Sequence, residues 1–196
     1  RAPKPVRKTS KPVHRAPKPV QRISGVENFD DIVFEEQLGN SGKEGTTFMI
    51  RTRTGNVYAF KTYKKTKSLA KIQKEAAFQR RAAAAGISPN VYFAGQKGQY
   101  KGIIMDKMAG LLKDEYNKGD TLSKTHRDQI IHIMEVLDEL EILHNDGNAR
   151  NIMVDDQGRV QIIDFGLSSD SKGRSNLDYT LFSMKRSLRQ SGIQWE

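Results

Sequence analysis

The chain contains no cysteine, which excludes disulfide staples and any zinc site built on thiolates. Its four histidines are scattered, so they do not supply a metal cluster either. No stretch approaches the ~20 consecutive apolar residues of a membrane-spanning helix. The N-terminus also lacks the short apolar core of a secretory signal. The chain is therefore expected to be soluble and intracellular, in cytoplasm or nucleus. Proline is scarce in the body: five of the six fall in the first 19 residues and only Pro89 follows.

Acid is absent from residues 1–22, which carry eight Lys/Arg (Arg1, Lys4, Arg7, Lys8, Lys11, Arg15, Lys18, Arg22). They supply most of the net charge of +10, because the remainder holds 25 basic against 23 acidic residues. A near-neutral body offers no basic groove for nucleic acid. The same 22 residues repeat with a period of seven around a Lys-Pro-Val core, reading RAPKPVR, KTSKPVH and RAPKPVQ. Proline fixes φ and removes an amide donor, and so little apolar surface cannot offset the entropy of ordering. Residues 1–24 are thus expected to form an extended, mobile tail. It is either a solvated linker or an arm that holds nucleic acid, phospholipid or an acidic partner. The boundary to the folded body is expected near Ser24 to Asn28.

Length and composition fit one globular domain, with 36% hydrophobic and 29% charged residues in 196. Short strands are predicted over Ile32–Leu38, Thr46–Thr52 and Asn56–Tyr63, separated by glycine turns. A helix capped by Ser68 runs through the alanine run at 82–85 and is ended by Gly86 and Pro89. Val91–Ala94 and Gly102–Met105 read as two further strands. A core helix starts near Ser123 or Thr125, with Ile130, Ile133, Met134, Leu137 and Leu140 at helical spacing. The strands Ile152–Val154 and Val160–Ile163 flank an Asp155–Gly158 turn, and a last helix covers about Leu177 to Arg189. This is an α+β protein in two parts, five strands with one helix at 25–106 and a mostly helical half at 107–196.

Three segments carry chemistry. Leu38-Gly39-Asn40-Ser41-Gly42-Lys43-Glu44-Gly45 lies in the first turn, Val57-Tyr58-Ala59-Phe60-Lys61 on the third strand, and His144-Asn145-Asp146-Gly147-Asn148-Ala149-Arg150-Asn151 in a polar loop ahead of Asp164-Phe165-Gly166. Their order and their placement on turn, strand and loop resemble the protein-kinase signature set. From about Phe34 to Leu188 the chain is similar to the protein-kinase-like superfamily, which implies a bilobal fold with a five-stranded N-lobe and a shortened helical C-lobe. It also implies ATP with Mg2+, or Mn2+ in its place, and transfer of the γ-phosphoryl group to a protein hydroxyl.

The resemblance assigns Asp146 as catalytic base or orienting group, and Asn151 and Asp164 as oxygen ligands of the metal. Lys61 is the strand lysine on the α- and β-phosphates. Glu75 is its ion-pair mate, being the only acid between Lys61 and Met105. Lys64, Lys65 and Lys67 are expected to face solvent. Gly39, Gly42 and Gly45 line the phosphates with a G-x-x-G-x-x-G spacing, one residue longer than the family's G-x-G-x-x-G; an ordinary hairpin turn is the competing reading. Met105 backs the adenine pocket and the backbone of Asp106 to Met108 binds the base. Arg150 stands where tyrosine kinases carry an arginine, and Asn148 where serine/threonine kinases carry a lysine; Ser/Thr is the favoured hydroxyl.

Asn145 replaces the arginine that senses a phosphorylated activation segment, no A-P-E motif follows, and an activation-segment switch is not expected. Asp178-Tyr179-x-Leu181 resembles the start of the helix supporting the catalytic loop, with Asp178 receiving its amides. The compact form is similar to KEOPS-type small kinases and ATPases, compact bacterial effector kinases and kinases of large DNA viruses. Lysine-proline tails also resemble those of large algal viruses, which would add the virion as a location. Three functions stay open: an active kinase, a partner-dependent KEOPS-type ATPase, and a pseudokinase scaffold with a polyanion-binding tail. A partner protein completing the C-lobe fits each of them.

Overall fold

A computed structural model describes Phe29, residues 31–39, Ser41, Gly42 and residues 44–196. The expected tail at 1–24, the domain boundary near Ser24 to Asn28, and Asn40 and Lys43 of the glycine turn lie outside the described residues. The chain forms an α+β structure. A five-stranded antiparallel sheet comes first, from β1 (Ile32–Leu38), β2 (Gly45–Thr52), β3 (Val57–Tyr63), β4 (Val91–Lys97) and β5 (Tyr100–Asp106), in the order β1-β2-β3-β5-β4. Helix α1 (Leu69–Ala84) is inserted between β3 and β4. β6 (Gly110–Leu111) and a 3-10 turn at Leu112–Glu115 lead to α2 (Lys124–Glu139), then β7 (Ile142–Leu143), β8 (Ile152–Val154), β9 (Val160–Ile162), β10 (Ser169–Asp170) and α3 (Thr180–Gln190). β6, β8 and β9 form one small sheet, and β7 pairs with β10.

Period-2 alternation assigns the two faces of the large sheet. Ile50, Tyr58, Phe60 and Ile104 pack on one face with Phe34, Phe48 and Tyr92 against them. Ala59, Tyr63, Ile103 and Met105 pack on the other, against Ile72 and Ala76 of α1. Lys61 falls between Ala59 and Tyr63, so the alternation itself aims it at α1. The pairing of β1 with β2 slips between Phe34 and Gln37, a bulge that opposes two residues to one. Ile32, Phe34 and Leu38 have the same parity, yet the bulge moves Leu38 to the α1 side. The strand therefore crosses faces just before the glycine turn.

The helices begin and end where side chains satisfy their free backbone groups. The Ser68 hydroxyl accepts from the Lys71 amide at 3.3 Å and Ser123 from His126 at 3.1 Å. At the end of α1, Gly86 takes φ 81°. Its amide bonds Ala83 O and that of Ile87 bonds Ala82 O, a Schellman closure. The larger core joins Ile130, Ile133, Met134 and Leu137 of α2 to Leu181, Met184 and Leu188 of α3 and to Ile152, Val154 and Ile162. Phe78 and Ala82 of α1 also enter that core, so α1 is seated on the helical part while it carries the sheet. α3 begins at Thr180 rather than near Leu177, because the Ser175 hydroxyl and the Asn176 backbone amide first tie the chain to Asp138, and the Ser175 hydroxyl takes the Leu177 amide. Among the described residues, no helix is long and apolar enough to cross a membrane.

Candidate functional site

β3, α1 and the end of β9 bring three of the expected residues together. Lys61 Nζ lies 2.8 Å from Glu75 Oε1 and 2.7 Å from Asp164 Oδ1. The Glu75 side chain is only 2% exposed, so its charge must be matched locally. It is matched three times: Tyr63 donates its hydroxyl to Oε1 at 2.5 Å, Lys61 donates to the same oxygen, and Lys67 reaches Oε2 at 2.8 Å. Burial and the neighbouring Glu75 charge push the Tyr63 phenol well above its ordinary range, so it stays a donor. Burial alone would lower the Lys61 ammonium, but the Glu75 and Asp164 charges outweigh it and hold it raised. Burial likewise pushes the Asp164 carboxyl up, and the Lys61 charge, its hydrogen bond and the Gly166 amide bring it below the ordinary carboxylate range.

The polar loop between β7 and β8 is fixed to the Asp164 segment through its backbone. His144 is fully buried; its Nε2 meets Ile163 O at 3.0 Å and its Nδ1 meets the Asp146 amide at 3.3 Å. Both bonds are satisfied only by the neutral Nε2–H form. Burial also depresses the imidazole pKa. The Ile163 amide bonds Asn151 O at 2.9 Å. The Asn151 amide group donates to Asp146 O at 3.1 Å and to Asp146 Oδ2 at 2.8 Å. The Asn151 side-chain oxygen, Oδ1, is left without a donor among the described residues. Asp146, Asn151 and Asp164 are thus linked through His144 and Ile163. Asp164 and Asn145 both hold left-handed backbone, at φ 66° and 64°, a conformation that non-glycine residues retain only when their surroundings fix it.

The described residues of the glycine turn join β1 to β2. Gly39 ends β1 at φ 70°, and the Gly42 amide bonds Gly45 O at 2.8 Å. A Cβ on Gly45 would fall 1.8 Å from Thr62 O, so β2 approaches β3 here at a spacing only glycine permits.

A family model described as protein kinase domain matches residues 32–186, which takes in the glycine turn, the Lys61 strand, the polar loop and the first part of α3. The chain belongs to the protein kinase family. It is 27% identical over 172 residues to a probable serine/threonine-protein kinase, pkgA, of Dictyostelium discoideum, covering 83% of this chain and 12% of that protein. It is 28% identical over 140 residues to the serine/threonine-protein kinase ppk18 of Schizosaccharomyces pombe, covering 66% of this chain and 11% of that protein. With the serine/threonine-protein kinase CBK1 of Pneumocystis carinii it shares 31% over 152 residues, 72% of this chain and 30% of that protein. The chain thus spans about a tenth to a third of the length of these relatives.

The other expected residues of this kinase chain sit apart from the Lys61 cluster. Met105 is buried on the α1 face, where Gln79 Nε2 meets its sulfur at 3.4 Å. The Asp106 side chain is committed to the Asn90 amide at 2.9 Å and the Tyr92 hydroxyl at 2.6 Å, and its own amide bonds Asn90 O. Met108 is buried and its amide has no partner among the described residues. Arg150 is exposed, and among the described residues its guanidinium reaches only Asn148, at 3.4 Å.

Two expectations are corrected. Lys67 does not face solvent: its side chain is 9% exposed, it bonds Glu44 and Glu75, and it lies 4.2 Å from the Tyr63 ring centre. Asp178 is exposed and does not receive the polar loop's amides. Asn176 does, accepting from the His144 amide at 3.0 Å while donating to Ile142 O at 2.7 Å and to Asp138 at 2.6 Å. Tyr63, Glu44 and Asp138 were also missed. Tyr63 alone left a signal, as the next inward position after Lys61 on the same strand.

Proposed function

We propose that the chain binds ATP with Mg2+ between a lobe at 25–106 and a lobe at 107–196, and transfers the γ-phosphoryl group to a serine or threonine hydroxyl of a protein. The observation that carries this reading is the Lys61 ammonium held between Glu75 and Asp164. It sets one cation beside one ionised carboxylate, with Glu44 at the end of the glycine turn close by, and a triphosphate and its divalent ion need such opposite charges. The donor set fits magnesium: the Asp164 carboxylate and the Asn151 side-chain Oδ1, which has no donor among the described residues, are hard ligands, and Mg2+ takes few protein oxygens because it keeps much of its water. When bound, the metal neutralises charge on the phosphates. Lys61 orients the α- and β-phosphates. Asp146, fixed by Asn151, orients the attacking hydroxyl and accepts its proton. The Met108 amide meets the adenine edge. The serine/threonine names of the relatives favour that hydroxyl class.

We also infer that no phosphorylation is needed to assemble the site. Asn145 stands where a phosphate-sensing arginine would, and its Nδ2 donates to Leu167 O and to the Ser169 hydroxyl, each at 3.0 Å. These bonds join the catalytic loop directly to the segment after Asp164, beside the β7–β10 pairing.

The test is magnesium-dependent transfer of labelled γ-phosphate to a generic substrate or to the chain itself. Lys61→Met and Asp164→Asn should each lower it by about a hundredfold or more. Lys61→Met should stay folded, since Tyr63 and Lys67 still match Glu75. Undiminished transfer in both folded variants refutes the proposal.

A further inference from the structure

The charged groups around Lys61 do not stop at the pair that holds it. They form a chain of alternating sign, Glu44, Lys67, Glu75, Lys61, Asp164, with contacts of 2.5, 2.8, 2.8 and 2.7 Å. Its two ends are the glycine turn and the carboxylate expected to hold the metal. The ends also converge: a Cβ built on Gly166 would lie 3.2 Å from Glu75, 3.3 Å from Asp164 and 3.4 Å from Glu44. Glu44 is the last residue of the turn before β2. Its carbonyl accepts from the Lys64 amide at 2.9 Å, so the backbone of the return limb is tied to the end of β3 and its side chain to Lys67.

We propose that Lys67 is a positioning residue for nucleotide: by pairing with Glu44 and Glu75 at once, it holds the return limb of the glycine turn at a fixed height above Lys61 and Asp164. This rests on the phosphoryl-transfer reading and adds to it a second lysine that touches no phosphate. Three features give Lys67 this leverage. Its side chain is largely out of water, which strengthens its contacts. The Tyr63 ring lies against its ammonium. And Glu75 binds the two lysines through different oxygens, so Lys67 can be lost without releasing Lys61. The Glu44 carboxylate is 53% exposed, so the contact is worth no more than a partly screened ion pair.

The expected loss is accordingly moderate and confined to nucleotide affinity. Lys67→Met should raise the KM for ATP, and the Kd for a non-hydrolysable ATP analogue measured by calorimetry, about fivefold, with kcat changed less than about twofold. Lys67→Arg should recover most of that affinity. Glu44→Ala should produce the same rise as Lys67→Met, and the double variant should be no worse than either, because both break the Lys67–Glu44 contact that fixes the turn. Glu44 also carries negative charge toward the phosphates. If that repulsion governs, Glu44→Ala lowers KM, and such a result overturns the proposal, as do additive effects of the two substitutions. Unchanged KM and Kd in Lys67→Met, with a wild type that binds ATP, overturn the clamp and leave phosphoryl transfer standing. A wild type that binds no ATP overturns both.

Discussion

Substituting Asn176 by alanine tests what holds the polar loop between β7 and β8 to the helical part of the fold. Asn176 is fully buried and its side chain makes four hydrogen bonds. Of its partners, Asp138 keeps the Asn176 amide and the Ser175 hydroxyl, so it loses little. The His144 amide, the Ile142 carbonyl and the Thr180 hydroxyl each lose the bond, all three in buried residues. An orphaned buried polar group costs about 1–3 kcal/mol, and partial relaxation favours the low end. The sum is about 3 kcal/mol, a large share of the ~5–15 kcal/mol that stabilises a typical domain. Asp178→Ala removes an exposed carboxylate with no partner among the described residues, and should stay within about 0.5 kcal/mol of wild type. Urea unfolding followed by far-UV circular dichroism measures both on one scale. A cost below about 1 kcal/mol for Asn176→Ala, or a larger cost for Asp178→Ala, would refute the assignment.

Two further outcomes follow from burial and space. His144 is held neutral by burial, with its titration depressed, whereas in the unfolded chain it protonates near pH 6.5. Below that pH the unfolded state binds the extra proton, so stability should fall from about pH 6.5 downward, by at most about 1.4 kcal/mol per pH unit for this one group. The carboxyl of Asp164 is depressed in the folded state, and its contribution, present above the ordinary carboxylate range, is lost only at more acid pH. A His144→Leu variant with an unaltered slope between pH 6.5 and 5 would contradict the first statement. A Cβ on Gly147 would lie 2.1 Å from Thr180 O and 2.8 Å from the Met184 amide. Gly147→Ala must therefore displace α3, at about 1–3 kcal/mol, read as a lowered Tm.

Much of the architecture was legible because local chemistry and tertiary role agree. The strand at β3 is expected from its apolar run and flanking glycine turns, Ser68 is expected to cap its helix and does, and of the two candidates Ser123 and Thr125 it is Ser123 that caps the next. Glu75 followed from being the sole acid in its stretch. The rest depended on contacts that spacing does not encode. Lys67 follows a strand among exposed lysines, and only the fold brings Glu44, 23 residues earlier, onto it. Asn176 and Asp178 are two positions apart in a polar turn. Which one faces inward is set by Asp138, 38 residues away, and by the delayed start of α3. The bulge in β1 is likewise invisible in a run whose parity looks continuous.

The three donors on Glu75 have a consequence for how such a chain can change. A buried carboxylate with a single cation is hostage to it, since losing the cation strands a charge in the interior. Here Glu75 keeps the Tyr63 hydroxyl and the Lys67 ammonium when Lys61 is lost. On the proposed role of Lys61, losing phosphoryl transfer and losing the fold are thereby separate events, and a lineage could drift into catalytic silence while conserving its shape.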